Sequence, residues 1–154
     1  MIQRIQTVYL LLVAVLVVVA LFAPLAWFAS DAGLFELHAF ALRTAEGDSV
    51  QAAPYLGIVL LACCLLPVVT IFLFRKRLLQ IRLCAVEAVL LPGATIMETI
   101  YYFLSRRVFS ELAFHEQGVK LAAVLPLVAV IFTLLAARAV FRDEMMVRAA
   151  DRIR

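Results

Sequence analysis

Four stretches of the chain run almost free of polar residues, at positions 8–28, 55–74, 83–104 and 121–141. An α-helix rises about 1.5 Å per residue, so each stretch is close to the ~20 residues that cross the hydrocarbon of a bilayer. The pattern predicts an all-α integral membrane fold, a bundle of four transmembrane helices forming a single membrane domain over 1–154 with a cytoplasmic tail at 142–154. The third stretch, LCAVEAVLLPGATIMETIYYFL, differs from the others in carrying two carboxylates, Glu87 and Glu98. Eleven residues of helix make about three turns and about 16 Å. Both carboxylates therefore share a face with Cys84, Leu91, Ala94, Tyr101 and Tyr102, and that face is expected to point into protein.

The polar segments between the stretches have patterns of their own. Within 30–53, GLFELHAFALR alternates loosely between apolar and polar positions and leads into Ala45, Glu46, Gly47, Asp48 and Ser49, a turn-forming cluster. This admits a short hairpin as readily as an irregular loop. In 105–120, VFSELAF has strand-like spacing and Gly118 marks a turn, so the two segments are candidates for a small extracytoplasmic β element over the outer mouth of the bundle. Pro54 stands where a helix accepts proline, at its first position. The tail RDEMMVRAADRIR has no helix breaker and sets Glu144 one helical turn before Arg148, so a helix is expected to continue through it.

Proline falls once in each stretch, at Pro24, Pro67, Pro92 and Pro126. Each removes a backbone hydrogen bond and favours a kink, a feature of transporter binding sites and of membrane helices in general. The two halves do not share proline or charge positions, so no internal repeat supports a transporter.

Composition agrees with the membrane reading: 66% of the residues are hydrophobic, 16% are charged, and the mean hydropathy is +1.07. A soluble domain of this length buries too small a share of its surface to hide so much apolar area. The net charge of +3 does not point to nucleic acid, because the basic residues flank the stretches and so report topology. Arg4, the cluster Arg75, Lys76, Arg77 and Arg82, and four cations of the tail give nine on one side, or ten with Arg138, against Arg43, Arg106, Arg107 and Lys120 on the other. That lean places both termini in the cytoplasm. The opening apolar run exceeds a signal-peptide core and reads as an uncleaved anchor.

Candidate chemistry is sparse. There is no nucleotide loop, no nucleophile with a base and no metal-ligand cluster, so no catalytic residue, metal or cofactor is expected, and the chain does not read as an enzyme. Cys63, Cys64 and Cys84 read as small apolar packing residues. The intramembrane polar candidates are Glu87, Glu98, Tyr101 and Arg138. Glu87 is expected to form a structural ion pair with Arg82, the Arg75 to Arg77 cluster or Arg138. Glu98 has no cation at its depth in another stretch and is expected to bond to Thr95, a tyrosine or a partner subunit.

The opening Met1-Ile2-Gln3-Arg4-Ile5-Gln6-Thr7-Val8-Tyr9-Leu10 and the ending with Arg148, Asp151, Arg152, Ile153 and Arg154 resemble a family of small bacterial four-span proteins, domain of unknown function 4293. The resemblance implies an inner-membrane location and supplies no activity and no functional residues. The functional expectation is an accessory or scaffold subunit of a membrane complex, in contact with the lipid bilayer and with a membrane-protein partner or a second copy. A small transporter or ion-coupled protein using Glu98 and Glu87 is the alternative.

Overall fold

The computed structural model describes residues 3–30, 33–44, 46–73, 76–108 and 114–151. In chain order it comprises α1 (Gln3–Phe22), β1 (Ala26–Ser30), β2 (Gly33–Leu37), β3 (Ala41–Thr44), β4 (Ser49–Ala52), α2 (Pro54–Phe72), α3 (Arg77–Val108), β5 (Phe114–Val119), a 3-10 turn (Leu121–Val124) and α4 (Leu125–Asp151). All four α-helices are long and apolar enough to cross a membrane.

The helices pack as a ring. Each of α1 and α3 lies against both α2 and α4, and the diagonal pairs barely approach. Buried positions recur at alternating steps of three and four: Gln6, Leu10, Val13, Val17 and Ala20 on α1; Leu56, Leu60, Cys63, Pro67 and Thr70 on α2; Cys84, Glu87, Leu91, Ala94 and Glu98 on α3; Ala129, Thr133, Ala136 and Val140 on α4. Such a repeat keeps one seam of each helix toward its neighbours. The seam of α4 is made largely of small residues, which let helices approach closely. The opposite faces carry Leu11, Val15, Ile58, Leu65, Val89, Ile96, Ile131 and Leu134 exposed. An apolar belt of that kind is the surface expected of helices in hydrocarbon rather than in water.

One end of the bundle is closed by a five-stranded antiparallel sheet in the order β4-β3-β2-β1-β5. The fold is thus mostly helical rather than all-α, and the β element is larger than a single hairpin. Alternation explains it: Ala26, Phe28, Phe35, Leu37 and Leu42 are buried against Tyr101 and Tyr102 of α3, with Phe28 stacked on Tyr102 at 5.3 Å between ring centroids. Trp27, Glu36 and Arg43 fall opposite one another across β1, β2 and β3, on the other face. The turn between β3 and β4 is where the sequence places it, with Gly47 at φ +96 and its N–H donating to the carbonyl of Thr44. Phe40, in the bend between β2 and β3, lies on Gly57 of α2, where a Cβ would come within 2.2 Å of the ring.

Several boundaries differ from the sequence reading. The first apolar stretch is not one helix to residue 28, because α1 stops at Phe22 and the residues from Ala26 are a strand. Pro24 cannot donate a backbone hydrogen bond and disfavours helix at the residue before it. Leu25, Ala26 and Phe28 are apolar because they face the end of the bundle. Pro24 therefore lies between elements and Pro126 in the first turn of α4, so only Pro67 and Pro92 interrupt helices. The basic connection is also shorter, since α3 begins at Arg77 and takes in Arg82. Gly118 lies within β5, not at a turn. Of VFSELAF, residues 109–113 lie outside the described residues. As expected, Pro54 opens α2 and α4 runs on through the tail to Asp151.

Candidate functional site

Helix α3 carries both buried carboxylates and more of the buried polar side chains than any other helix. Its buried seam includes Gln80, Glu87, Glu98 and Ser105, at 3, 1, 5 and 0% exposure. Glu87 and Glu98 share the inward face, as their spacing predicts. They are separated by Leu91 and Ala94, both fully buried in an apolar cluster with Val13, Val17, Leu56, Leu60, Cys63 and Ala129. The two carboxylates thus occupy different compartments.

Glu98 lies in the lining of a partly open pocket of about 360 Å³ between the sheet-end half of α3, the start of α4 and the underside of the sheet. Leu25, Ala26, Leu37, Val119, Val124 and Leu127 supply much of its apolar wall. Both carboxylate oxygens of Glu98 are buried without a hydrogen-bond partner. The partners expected from the sequence are engaged elsewhere or do not reach. Thr95 donates its hydroxyl to the carbonyl of Leu91 at 3.2 Å, and Tyr101 packs between the bundle core and the sheet. Thr99, also in the lining, donates to the carbonyl of Thr95 at 2.9 Å.

Glu87 sits between the central cluster and a smaller one of Leu10, Cys84 and Ala136 at the opposite end. Its Oε1 has no hydrogen-bond partner. The expected ion pair is not formed with Arg82 or Arg138, both of which are exposed. Arg75 lies outside the described residues, Arg77 opens α3 and Lys76 is exposed in the turn before it. Cys63 and Cys84 are buried and all three cysteines are free thiols.

Sequence reasoning treated the other helices as nearly devoid of polar groups and missed Gln6, Thr70 and Thr133, all buried, as well as Gln80 and Ser105. Gln80 donates to the carbonyl of Thr70 at 2.9 Å, and the Thr70 hydroxyl donates to the carbonyl of Leu66 at 2.7 Å. Gln80 ties the starts of α3 and the end of α2 across their short turn. The signal was available in the seam, because Gln80 lies four residues before Cys84 and seven before Glu87.

The face of the sheet turned away from the bundle holds an ion-pair cluster. Lys120 donates to Oε1 of Glu36, and Nε2 of His38 lies 3.5 Å from its Oε2. The hydrogen bond from Lys120 holds the Glu36 carboxyl below its ordinary value; partial desolvation opposes this, and the charges of Lys120 and His38 add to the lowering.

A ring of four membrane-length helices under a β cap, with unpartnered carboxylates on one helix, defines a small bundle protein, and no group of three or more His, Cys, Asp or Glu residues that could hold a metal ion is found among the described residues. The chain belongs to the family described as Domain of unknown function (DUF4293), whose model matches residues 2–153. A comparison with curated proteins returns no match.

Proposed function

We propose that this chain is a multi-pass protein of the bacterial inner membrane that serves as an accessory or scaffold subunit of a membrane complex, with the sheet outside and both termini in the cytoplasm. The apolar belt favours insertion, and the lean of cations toward the end opposite the sheet favours that orientation. The observation that carries the scaffold reading is the close-packed apolar layer between Glu98 and Glu87, where Val13, Val17, Leu60, Leu91, Ala94 and Ala129 are all at 0% exposure. A conduit for ions or solutes needs polar groups or water through that layer. The transporter alternative would have to open it.

A scaffold instead presents fixed surfaces, and the small-residue seam of α4 and the sheet over one end of the bundle suit that role. Purification in mild detergent followed by mass determination tests the reading. A stoichiometric membrane-protein partner, or a stable oligomer of this chain, is the expected result. A lone monomer under conditions that preserve other inner-membrane complexes would overturn it.

A further inference from the structure

The pocket under the sheet encloses a carboxylate that the chain leaves unsatisfied. Glu98 brings two carboxylate oxygens, both buried and unpartnered, on a side chain only 5% exposed. Thr95 and Thr99 have already given their hydroxyl protons to backbone carbonyls of α3, so each has acceptor capacity left and no donor. No ion pair with Glu98 is found among the described residues. Apart from the Tyr102 hydroxyl, the rest of the lining is apolar or aromatic: Phe103 and the Tyr102 ring from α3, Ala123 and Leu127 from the α4 side, Val119 from the edge strand. A buried acceptor cluster that the chain itself does not satisfy requires donors from elsewhere.

We propose that this pocket binds an amphiphile with an apolar body and a primary or secondary ammonium head, the head on Glu98 and the body between α3 and the start of α4. The chemistry of the head follows from the unpartnered carboxylate. A primary ammonium has three donors and no acceptor, which suits two buried oxygens that accept nothing from the chain, and its charge compensates a carboxylate that has no cation of its own. A hydroxyl would offer one donor and leave the charge unpaired, and an anionic head would be set against the like charge of Glu98. The size and apolar character of the cavity fall within the range of small-molecule sites, which start near 300 Å³ and are apolar with a few fixed polar groups. The position also suits an amphiphile, because the pocket lies at the sheet end of the apolar belt, where a head enters from the side of the sheet and a chain continues between helices. Such an amine has two sources, the headgroup of an aminophospholipid or a free lipid-soluble amine. The site is independent of whether the protein is a scaffold.

The test uses the full-length protein in phosphatidylcholine nanodiscs, with dodecylamine as probe and dodecyltrimethylammonium, which keeps the charge but has no N–H, as comparison. Native mass spectrometry counts bound probe and thermal unfolding measures its effect. The parent and Glu87→Gln are expected to hold one dodecylamine at least about tenfold more tightly than the trimethyl compound, a factor that 1.4 kcal/mol supplies. Glu98→Gln is expected to lose that preference. Ala123→Phe, which keeps the carboxylate and fills the pocket from the α4 side, is expected to lose binding altogether, so the proposal does not depend on the folding of one variant. Repeating the titration in nanodiscs containing phosphatidylethanolamine identifies the source: competition with the probe points to the lipid headgroup, and its absence to a free amine. Equal retention of dodecylamine by the parent and Glu98→Gln, equal affinity for the two probes, or no binding to the parent would each overturn the assignment.

Discussion

The indole of Trp27 on β1 lies across Gly118 on β5, so that a Cβ at residue 118 would come within 2.5 Å of the indole Nε1. The two residues are directly opposite in the ladder, and an aromatic ring covering a strand glycine compensates for the side chain that glycine lacks. Gly118 is what allows the edge strand to pass beneath the ring. Gly118→Val is therefore expected to destabilise the protein by about 1 to 3 kcal/mol, the cost of overpacking, despite the better strand propensity of valine. Trp27→Ala in the same chain should relieve most of that loss, read as the thermal-unfolding midpoints of the two single variants and the double.

Gly57 and Phe40 form the corresponding contact between helix and sheet, and here two effects compete. Alanine in place of a helical glycine gains roughly 1 kcal/mol of propensity, but the new Cβ would lie 2.2 Å from the Phe40 ring. The clash is the larger effect, so Gly57→Ala is expected to be destabilising in the parent. In a Phe40→Ala background the ring is gone and the same substitution should stabilise. A sign that does not change between backgrounds would show that Phe40 does not dock on α2.

The Glu36 cluster gives the sheet a pH dependence. Its carboxyl is held below the ordinary value of 4.5 when folded, so the stability it contributes is present above the unfolded value and is lost as pH falls through the folded one. Melting temperature is expected to decline below about pH 4.5, and Glu36→Gln or Lys120→Met should flatten that part of the profile. The effect should be small, since both side chains are partly exposed and such pairs contribute modestly. A profile identical in parent and Glu36→Gln would remove the pair from any account of the cap.

Much of the bundle was legible because apolar length and three-four spacing leave few alternatives for a chain this hydrophobic. The inward placement of Glu87 and Glu98 followed from helix geometry alone. What was not legible depended on contacts between distant segments. Residues 26–28 read as helix because they are apolar, and only the sheet on the end of the bundle explains them as strand. The pairing expected for Glu87 assumed that nearby cations turn inward, whereas Arg82 and Arg138 occupy exposed positions of α3 and α4. Gly118 read as a turn because the ring that covers it belongs to a residue 91 positions earlier in the chain.

Orientation can be checked by single cysteines in a chain whose Cys63, Cys64 and Cys84 are replaced by alanine. Gln80, though near the basic turn, is unsuitable as a reporter because it is buried and bonded to Thr70. Lys76 and Ser49 are exposed at opposite ends of the bundle. A thiol at Ser49 is expected to react with a membrane-impermeant reagent in intact cells, and one at Lys76 only after lysis. Labelling of the Lys76 position from outside would reverse the orientation.

Glu87 separates structure from function most directly, because the chain gives no structural return for burying it. Its side chain is 1% exposed, its Oε1 is unpartnered, and no cation among the described residues pairs with it. An unsatisfied buried polar group costs about 1 to 3 kcal/mol, and with no partner to strand, removing it should return that amount. Glu87→Leu is therefore expected to raise the thermal stability of the purified protein, and Glu87→Gln to lie between the two. A structural ion pair demands the reverse, since leaving a cation uncompensated is destabilising. The companion measurement is growth of a strain that depends on the protein. If the scaffold reading holds, the more stable Glu87→Leu protein supports growth and keeps its partner. If Glu87→Leu and Glu87→Gln both fold, both assemble and both fail to support growth, the carboxylate works as an ionisable group and the ion-coupled alternative replaces the scaffold.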